Sequence, residues 1–213
     1  IDAETFVREQ GLAASVAAAA DGPLKWNPGH YAVSNAHNLR HLDKTLGEIA
    51  KYAFVKGVVI RTSWPMLETS KGVYNFAALD TAIARAAAKG KRVFIMLGTK
   101  SFSSTERAVP DYMRTAEYGG GAYKIAIKRG GYGENLTLWN DKVRDRLNAL
   151  NQALGARYNK SNSVEGMIFN ETALGMATTP ISAAQAQAYF GNLAKADIAA
   201  KAAFPNSTVI QYM

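Results

Sequence analysis

Three short clusters in this 213-residue chain gather side chains able to do chemistry. They are Arg61, Ser63, Trp64 and Glu68; Thr99, Lys100, Ser101 and Phe102; and Asn170 with Glu171. Each follows an apolar run, Gly57–Ile60, Val93–Leu97 or Val164–Phe169. Amide, carboxyl, guanidinium and indole groups together suit a neutral polyol better than a phosphate, because a sugar offers hydroxyls to hydrogen bond and apolar ring faces to stack on indole. Glu171 is the most informative carboxyl, since apolar walls at a strand mouth favour the protonated form that a general acid needs. Its alternative roles are to cap the following turn or to pair with Arg61. Trp64 reads as a sugar-stacking platform or as packing. Glu68 reads as a second carboxylate or as a loop-fixing salt bridge. Asn35 and His37, just past a first strand at His30–Val33, read as sugar contacts.

The elements that must position these groups alternate between two hydrophobic periods. Leu39, Leu42, Leu46, Ile49 and Ala53 recur at helical spacing behind Asn38, which can cap the first turn. Asn75 can cap a helix through Phe76, Leu79, Ile83 and Ala87 that stops at Lys89-Gly90. Trp139, Val143, Leu147, Leu150 and Leu154 predict a third helix. A fourth runs from Ser182 through Tyr189, Leu193 and Ala200 to a stop before Pro205, and Thr208–Ile210 is the next strand. Continuous apolar runs of strand length between helices imply parallel strands buried on both faces, hence an α/β protein with right-handed crossovers. In such folds the residues just past the carboxyl ends of the strands face the ligand crevice. Those are the three clusters.

Between Gly98 and Leu138 the alternation is interrupted by six glycines, 119–121, 130, 131 and 133, flanking an alternating segment at Tyr123–Lys128. A hairpin excursion over 98–138 accounts for it. It holds no G-x-G-x-x-G or Walker sequence, which argues against a phosphate cradle.

Other function classes fall away on composition. The absence of cysteine excludes disulfide frameworks, zinc knuckles and thiol catalysis. Net charge is +8, but the basic residues are spread along the chain with no block of five like charges, so no nucleic-acid partner is expected. The longest apolar stretch, Leu12–Ala20, falls short of the roughly 18 residues a membrane span needs. Its small residues Ala18–Ala20 fit the end of a signal segment, and a start at Ile1 suggests a processed or truncated terminus; the expected location is secreted or periplasmic. His30, His37 and His41 lack metalloprotease spacing, so neither metal nor cofactor is expected. Asn135, Asn159, Asn170 and Asn206 begin triplets that fit the glycosylation pattern.

Two of the clusters resemble a family. Arg61-Thr62-Ser63-Trp64-Pro65-Met66-Leu67-Glu68, followed by Lys71-Gly72-Val73-Tyr74-Asn75-Phe76 and Leu79-Asp80, resembles the stretch after the second strand of retaining clan-A glycoside hydrolases, cellulase-like and β-galactosidase-like enzymes among them. Asn170-Glu171, ending the fourth strand, resembles that clan's Asn-Glu signature. The resemblance implies a (β/α)8 TIM-type barrel, incomplete here with about five βα units. It also implies Glu171 as acid/base, Asn170 on the sugar 2-hydroxyl, Arg61 supporting the carboxylate site, and an oligo- or polysaccharide substrate.

A retaining mechanism needs a second carboxylate about 5–5.5 Å from the first as nucleophile. In the family it is a Glu ending the seventh strand, whereas Gln211-Tyr212-Met213 here ends the fifth. The remaining downstream carboxyl, Asp197, reads as a solvated helix charge. The expected layout is a leader or extension at 1–27 and a partial barrel at 28–213, whose uncovered strand edges call for self-association or a partner. The alternative function is a non-catalytic carbohydrate-binding or assembly module on the same framework.

Overall fold

The computed structural model describes residues 22–128 and 130–212; most of the expected leader therefore lies outside the described residues. In chain order the elements are β1 (His30–Asn35), α1 (Leu39–Ile49), β2 (Val55–Ser63), the single turn α2 (Trp64–Leu67), β3 (Glu68–Ser70), β4 (Val73–Tyr74), α3 (Ala77–Ala88), β5 (Arg92–Gly98) and β6 (Lys100–Ser101). After 3₁₀ turns at Asp111–Met113 and Ala116–Tyr118 come β7 (Ala122–Ala126), β8 (Tyr132–Leu136), α4 (Asp141–Tyr158), β9 (Val164–Phe169), α5 (Ala183–Ala203) and β10 (Thr208–Gln211).

The five main strands form one parallel sheet in the order β1-β2-β5-β9-β10. This is the expected alternation and the expected partial barrel. Alternate residues divide its faces. Val58, Ile60, Val93, Ile95, Leu97, Val164, Met167 and Phe169 join the helices in the main core, whereas Val59, Phe94 and Ile168 form a separate small cluster with Tyr31 and Met96 on the other face. Among the described residues, β1 and β10 are the sheet's edges.

The helices start where side chains can satisfy free backbone N–H groups. Asn38 Oδ1 accepts from His41 N at 3.0 Å, Asn140 Oδ1 from Lys142 N at 2.9 Å, and Ser182 and Gln185 form a reciprocal capping box. Asn75 acts one residue earlier than the period suggests: Phe76 is the N-cap of α3, and Asn75 Oδ1 accepts from Ala77 N at 3.1 Å. Trp139 precedes its helix and packs on Tyr123, ring centroids 4.9 Å apart. The excursion is a hairpin, β7 with β8, to which β6 adds a third antiparallel strand.

Residues ahead of β1 are tied to the loop before β9. Lys25 Nζ donates to Asn159 O at 2.8 Å, Ser161 O at 3.2 Å and Val164 O at 2.5 Å. Lys25 N donates to Asn206 O, and Asn206 Nδ2 to Gly22 O. Asn135, Asn159 and Asn206 are buried, which removes them as glycosylation acceptors in the folded chain. Among the described residues, no helix is long and apolar enough to cross a membrane.

Asp197 is not the solvated charge expected of it. Helices α4 and α5 approach closely enough that a Cβ on Gly155 would stand 2.2 Å from Ala203 O, and Asp197 Oδ1 is buried with no hydrogen-bond partner among the described residues. Burial raises its pKa to about 7. That value lies above the roughly 3.9 of an unfolded Asp. The carboxyl's contribution to stability is therefore complete below about pH 4 and is lost as pH rises through about 7. Asp197→Asn should leave the melting temperature unchanged at pH 4. At pH 8 it should raise it by at least about 2–4 °C, the shift that about 1 kcal/mol gives at this chain length. Thermal melts showing equal effects at both pH values would contradict this assignment.

Candidate active site

Strand register brings the polar ends of the sheet level. Asn35 pairs with Arg61, Arg61 with Met96, and Met96 with Ile168, at the carboxyl ends of four adjacent strands. Above this row opens a cleft of about 680 Å³ whose lining includes Asn35, His37, Arg61, Ser63, Met96 and Asn170. Four of the expected sugar contacts, Asn35, His37, Arg61 and Asn170, therefore share one cavity. The excursion supplies its far wall through Lys100, Phe102 and Glu106.

Trp64 is a correction. It is 0% exposed, and its Nε1 donates to Glu68 Oε2 at 2.7 Å. A side chain so enclosed has no free face for a sugar. The cause lies in local backbone: β2 turns its inner face through Val59, Arg61 and Ser63, and the α2 turn then carries Trp64 into the main core.

Glu68 fixes the loop. It is 0% exposed, and besides Trp64 its carboxylate accepts from Gly72 N at 2.7 Å and from Arg146 of α4. Arg146 also donates to Tyr112 OH at 3.0 Å. Burial pushes the Tyr112 phenol well above its ordinary value.

Glu171 lies just past the cleft lining, with its side chain 35% exposed. Its partner is not Arg61 but Lys100, whose Nζ stands 2.9 Å from Glu171 Oε1. An ammonium thus occupies the place where apolar walls were expected. Asn170 Nδ2 donates to Lys100 O at 3.3 Å, and Gln211 Nε2 donates to Asn170 O. The loop after β9 is held against the hairpin by Tyr123 OH to Leu174 O at 2.7 Å, Ala126 N to Met176 O at 2.8 Å and Thr178 N to Lys124 O at 3.0 Å. Asn135 Nδ2, at the centre of this contact, donates to Tyr123 OH at 2.9 Å and Tyr189 OH at 3.3 Å. Burial, with a smaller push from the Glu171 charge, raises the Tyr189 phenol above its ordinary value.

The histidines act separately: His30 meets the Phe54 ring edge-on, His41 Nδ1 lies 3.1 Å from Ser34 Oγ, and His37 lines the cleft. Among the described residues, no group of three His, Asp or Glu is arranged to hold a metal ion.

The family model for glycoside hydrolase 42, beta-galactosidase, matches residues 43–196, most of the chain. The chain belongs to this family. No curated protein sequence matches it. Among solved structures, a GH5_18 protein from Bifidobacterium longum subsp. infantis is similar at TM-score 0.57 and 11% identity, over 88% of this chain and 43% of that one. A GH5_18 protein from Streptomyces cattleya, in complex with GlcNAc, is similar at TM-score 0.57 and 12% identity, over 87% of this chain and 44% of that one. At such identities the likeness is one of fold. The family 42 chain spans less than half the length of these neighbours.

Most of the motif after the second strand of this family 42 chain is architectural. Leu67 and Leu79 are core, Gly72 takes φ +76° to present its N–H to Glu68, and Tyr74 stacks on Phe76, which meets Tyr158 edge-on. Asp80 accepts from Arg157 at 2.9 and 2.6 Å and from Tyr158 OH at 2.8 Å. The Arg157 guanidinium holds the Asp80 carboxyl below the usual carboxylate range. Of the residues that carried the resemblance there, Arg61, Thr62 and Ser63 are the polar ones that line the cleft.

Sequence reasoning named Lys100 only as a residue past the strand, Asn135 only as the start of a glycosylation triplet and Tyr189 only as a helix position. A lone Lys or Asn between strands carries no signal that it will be buried. Glu68→Ala would leave the Trp64 N–H and the Arg146 guanidinium facing an emptied buried position. It should cost about 3–5 kcal/mol in urea unfolding, as when one partner of a buried pair is removed. A loss below about 1 kcal/mol would show that solvent takes over the carboxylate's role.

Proposed function

We propose that this family 42 chain carries the acid/base half of a retaining β-glycosidase site. Glu171 protonates the leaving-group oxygen and later activates water, and Asn170 and Arg61 bind the sugar and support the carboxylate site. The observation that carries the reading is the convergence of Asn35, His37, Arg61 and Asn170 on one cleft at the carboxyl ends of the strands, with Glu171 one residue past Asn170. Membership of the family supports the hydrolase class. The GH5_18 neighbours crystallised with GlcNAc and with Manβ1-4GlcNAc support a carbohydrate as the occupant. The substrate class we infer is a β-linked oligo- or polysaccharide.

In this reading the nucleophile is a carboxylate about 5–5.5 Å from Glu171, contributed by a barrel strand beyond the five described. Residues 1–213 alone are then expected to bind sugar without turning it over. One observation favours a second reading, a sugar-binding module without catalysis: the Glu171 carboxylate is already engaged by the buried Lys100 ammonium.

Substitution of Glu171 separates the two. In a polypeptide carrying the whole barrel, Glu171→Gln should lower kcat for 4-nitrophenyl β-galactoside by about 10²–10⁴, the range general acid–base groups supply, while sugar affinity changes little. Turnover that survives the substitution unchanged would take Glu171 out of the mechanism. Absence of turnover in the unsubstituted barrel would favour the binding module.

A further inference from the structure

The two signature residues at the end of β9 are both held by one residue of the excursion. Lys100 accepts from Asn170 Nδ2 through its backbone carbonyl, at 3.3 Å, and donates to Glu171 Oε1 through its ammonium, at 2.9 Å. The same ammonium donates to Ala173 O and lies 5.9 Å over the Phe102 ring. The Lys100 side chain is 1% exposed.

Lys100 sits there because β6 is fixed from outside the barrel. Lys100 pairs with Asn135 and Ser101 with Glu134. The pairing is close, since a Cβ on Gly133 would stand 2.0 Å from Ser101 O. That position could have been filled by a chain such as Met at lower cost. Removing an ammonium from water costs several kcal/mol, and a buried ion pair is often no more stabilising than packed apolar groups of similar volume. A buried charge whose carboxylate partner is the candidate acid/base therefore points to a role other than stability.

We propose that Lys100 is the positioning residue of the Asn170–Glu171 pair. Its carbonyl sets the Asn170 amide toward the cleft, and its ammonium fixes the Glu171 carboxylate in one orientation beside the sugar. This rests on the reading of Glu171 as a sugar-contacting acid/base. Lys100 acts on the sugar through Glu171 and Asn170.

The test is a double-mutant cycle in residues 1–213, with methyl β-galactoside binding followed by NMR titration. Lys100→Met should weaken binding at least about tenfold, and Lys100→Arg, which keeps a cation able to reach the carboxylate, should stay within about threefold of wild type. In a Glu171→Gln background, itself close to wild type in affinity, Lys100→Met should change affinity by less than about twofold, because no unpaired carboxylate is then left to turn into the sugar's place. Equal losses in both backgrounds, or no loss in either, would overturn the proposal. A sugar-free readout keeps the two levels of inference apart. The backbone amide signals of Asn170–Ala173 and the Asn170 side-chain amide should shift in Lys100→Met and return in Lys100→Arg. If wild type binds no galactoside, the functional reading fails and these signals decide the positioning role alone; unchanged signals in Lys100→Met would end it.

Discussion

A parallel strand between helices has to bury both faces, and this requirement organises everything at the site. Alternate side chains of β2, β5 and β9 go to the helices, and the remaining ones go to the inner cluster of Val59, Phe94 and Ile168. Once that division is made, the register that aligns Val59 with Phe94 also aligns Asn35, Arg61 and Met96 two residues further on. The polar row is thus a by-product of apolar packing. No polar contact is needed to assemble it, which leaves those side chains free for a ligand.

What the polar contacts do is join units that packing alone would leave independent. Glu68 links the turn after β2 to Arg146 of α4, and Asp80 of α3 links to Arg157 and Tyr158 at the end of α4. Both ties join consecutive βα units, the one that ends in α3 and the one that ends in α4. The hairpin performs the same service for the loop after β9, with Asn135 and Tyr123 as its anchors. The excursion is therefore part of the support of the site as well as part of its wall.

The sequence was legible wherever a signal repeats. Leu42, Leu46 and Ile49 mark one face of α1, Ser182 marks the start of α5, and the unbroken run Val93–Leu97 marks a covered strand. The glycines flanking 123–128 marked a hairpin for the same reason. Single residues were harder, because burial depends on what arrives from elsewhere in the chain. Trp64 follows a strand mouth as a platform would, yet the α2 turn sends it inward to Glu68. Asp197 lies among alanines that give no hint of its burial. Lys100 looked like any loop lysine until β8 arrived, 35 residues later, to pin it.

The tie made by Lys25 has a meaning for assembly. Its three carbonyl acceptors lie 134 to 139 positions downstream, on the far side of three βα units. Closing so long a loop carries an entropic cost that local contacts do not repay. The clasp can shut only after those units have docked and the turn before β9 has taken its final shape. The ammonium at position 25 is thus a latecomer in folding, a keystone set when the arch beneath it already stands.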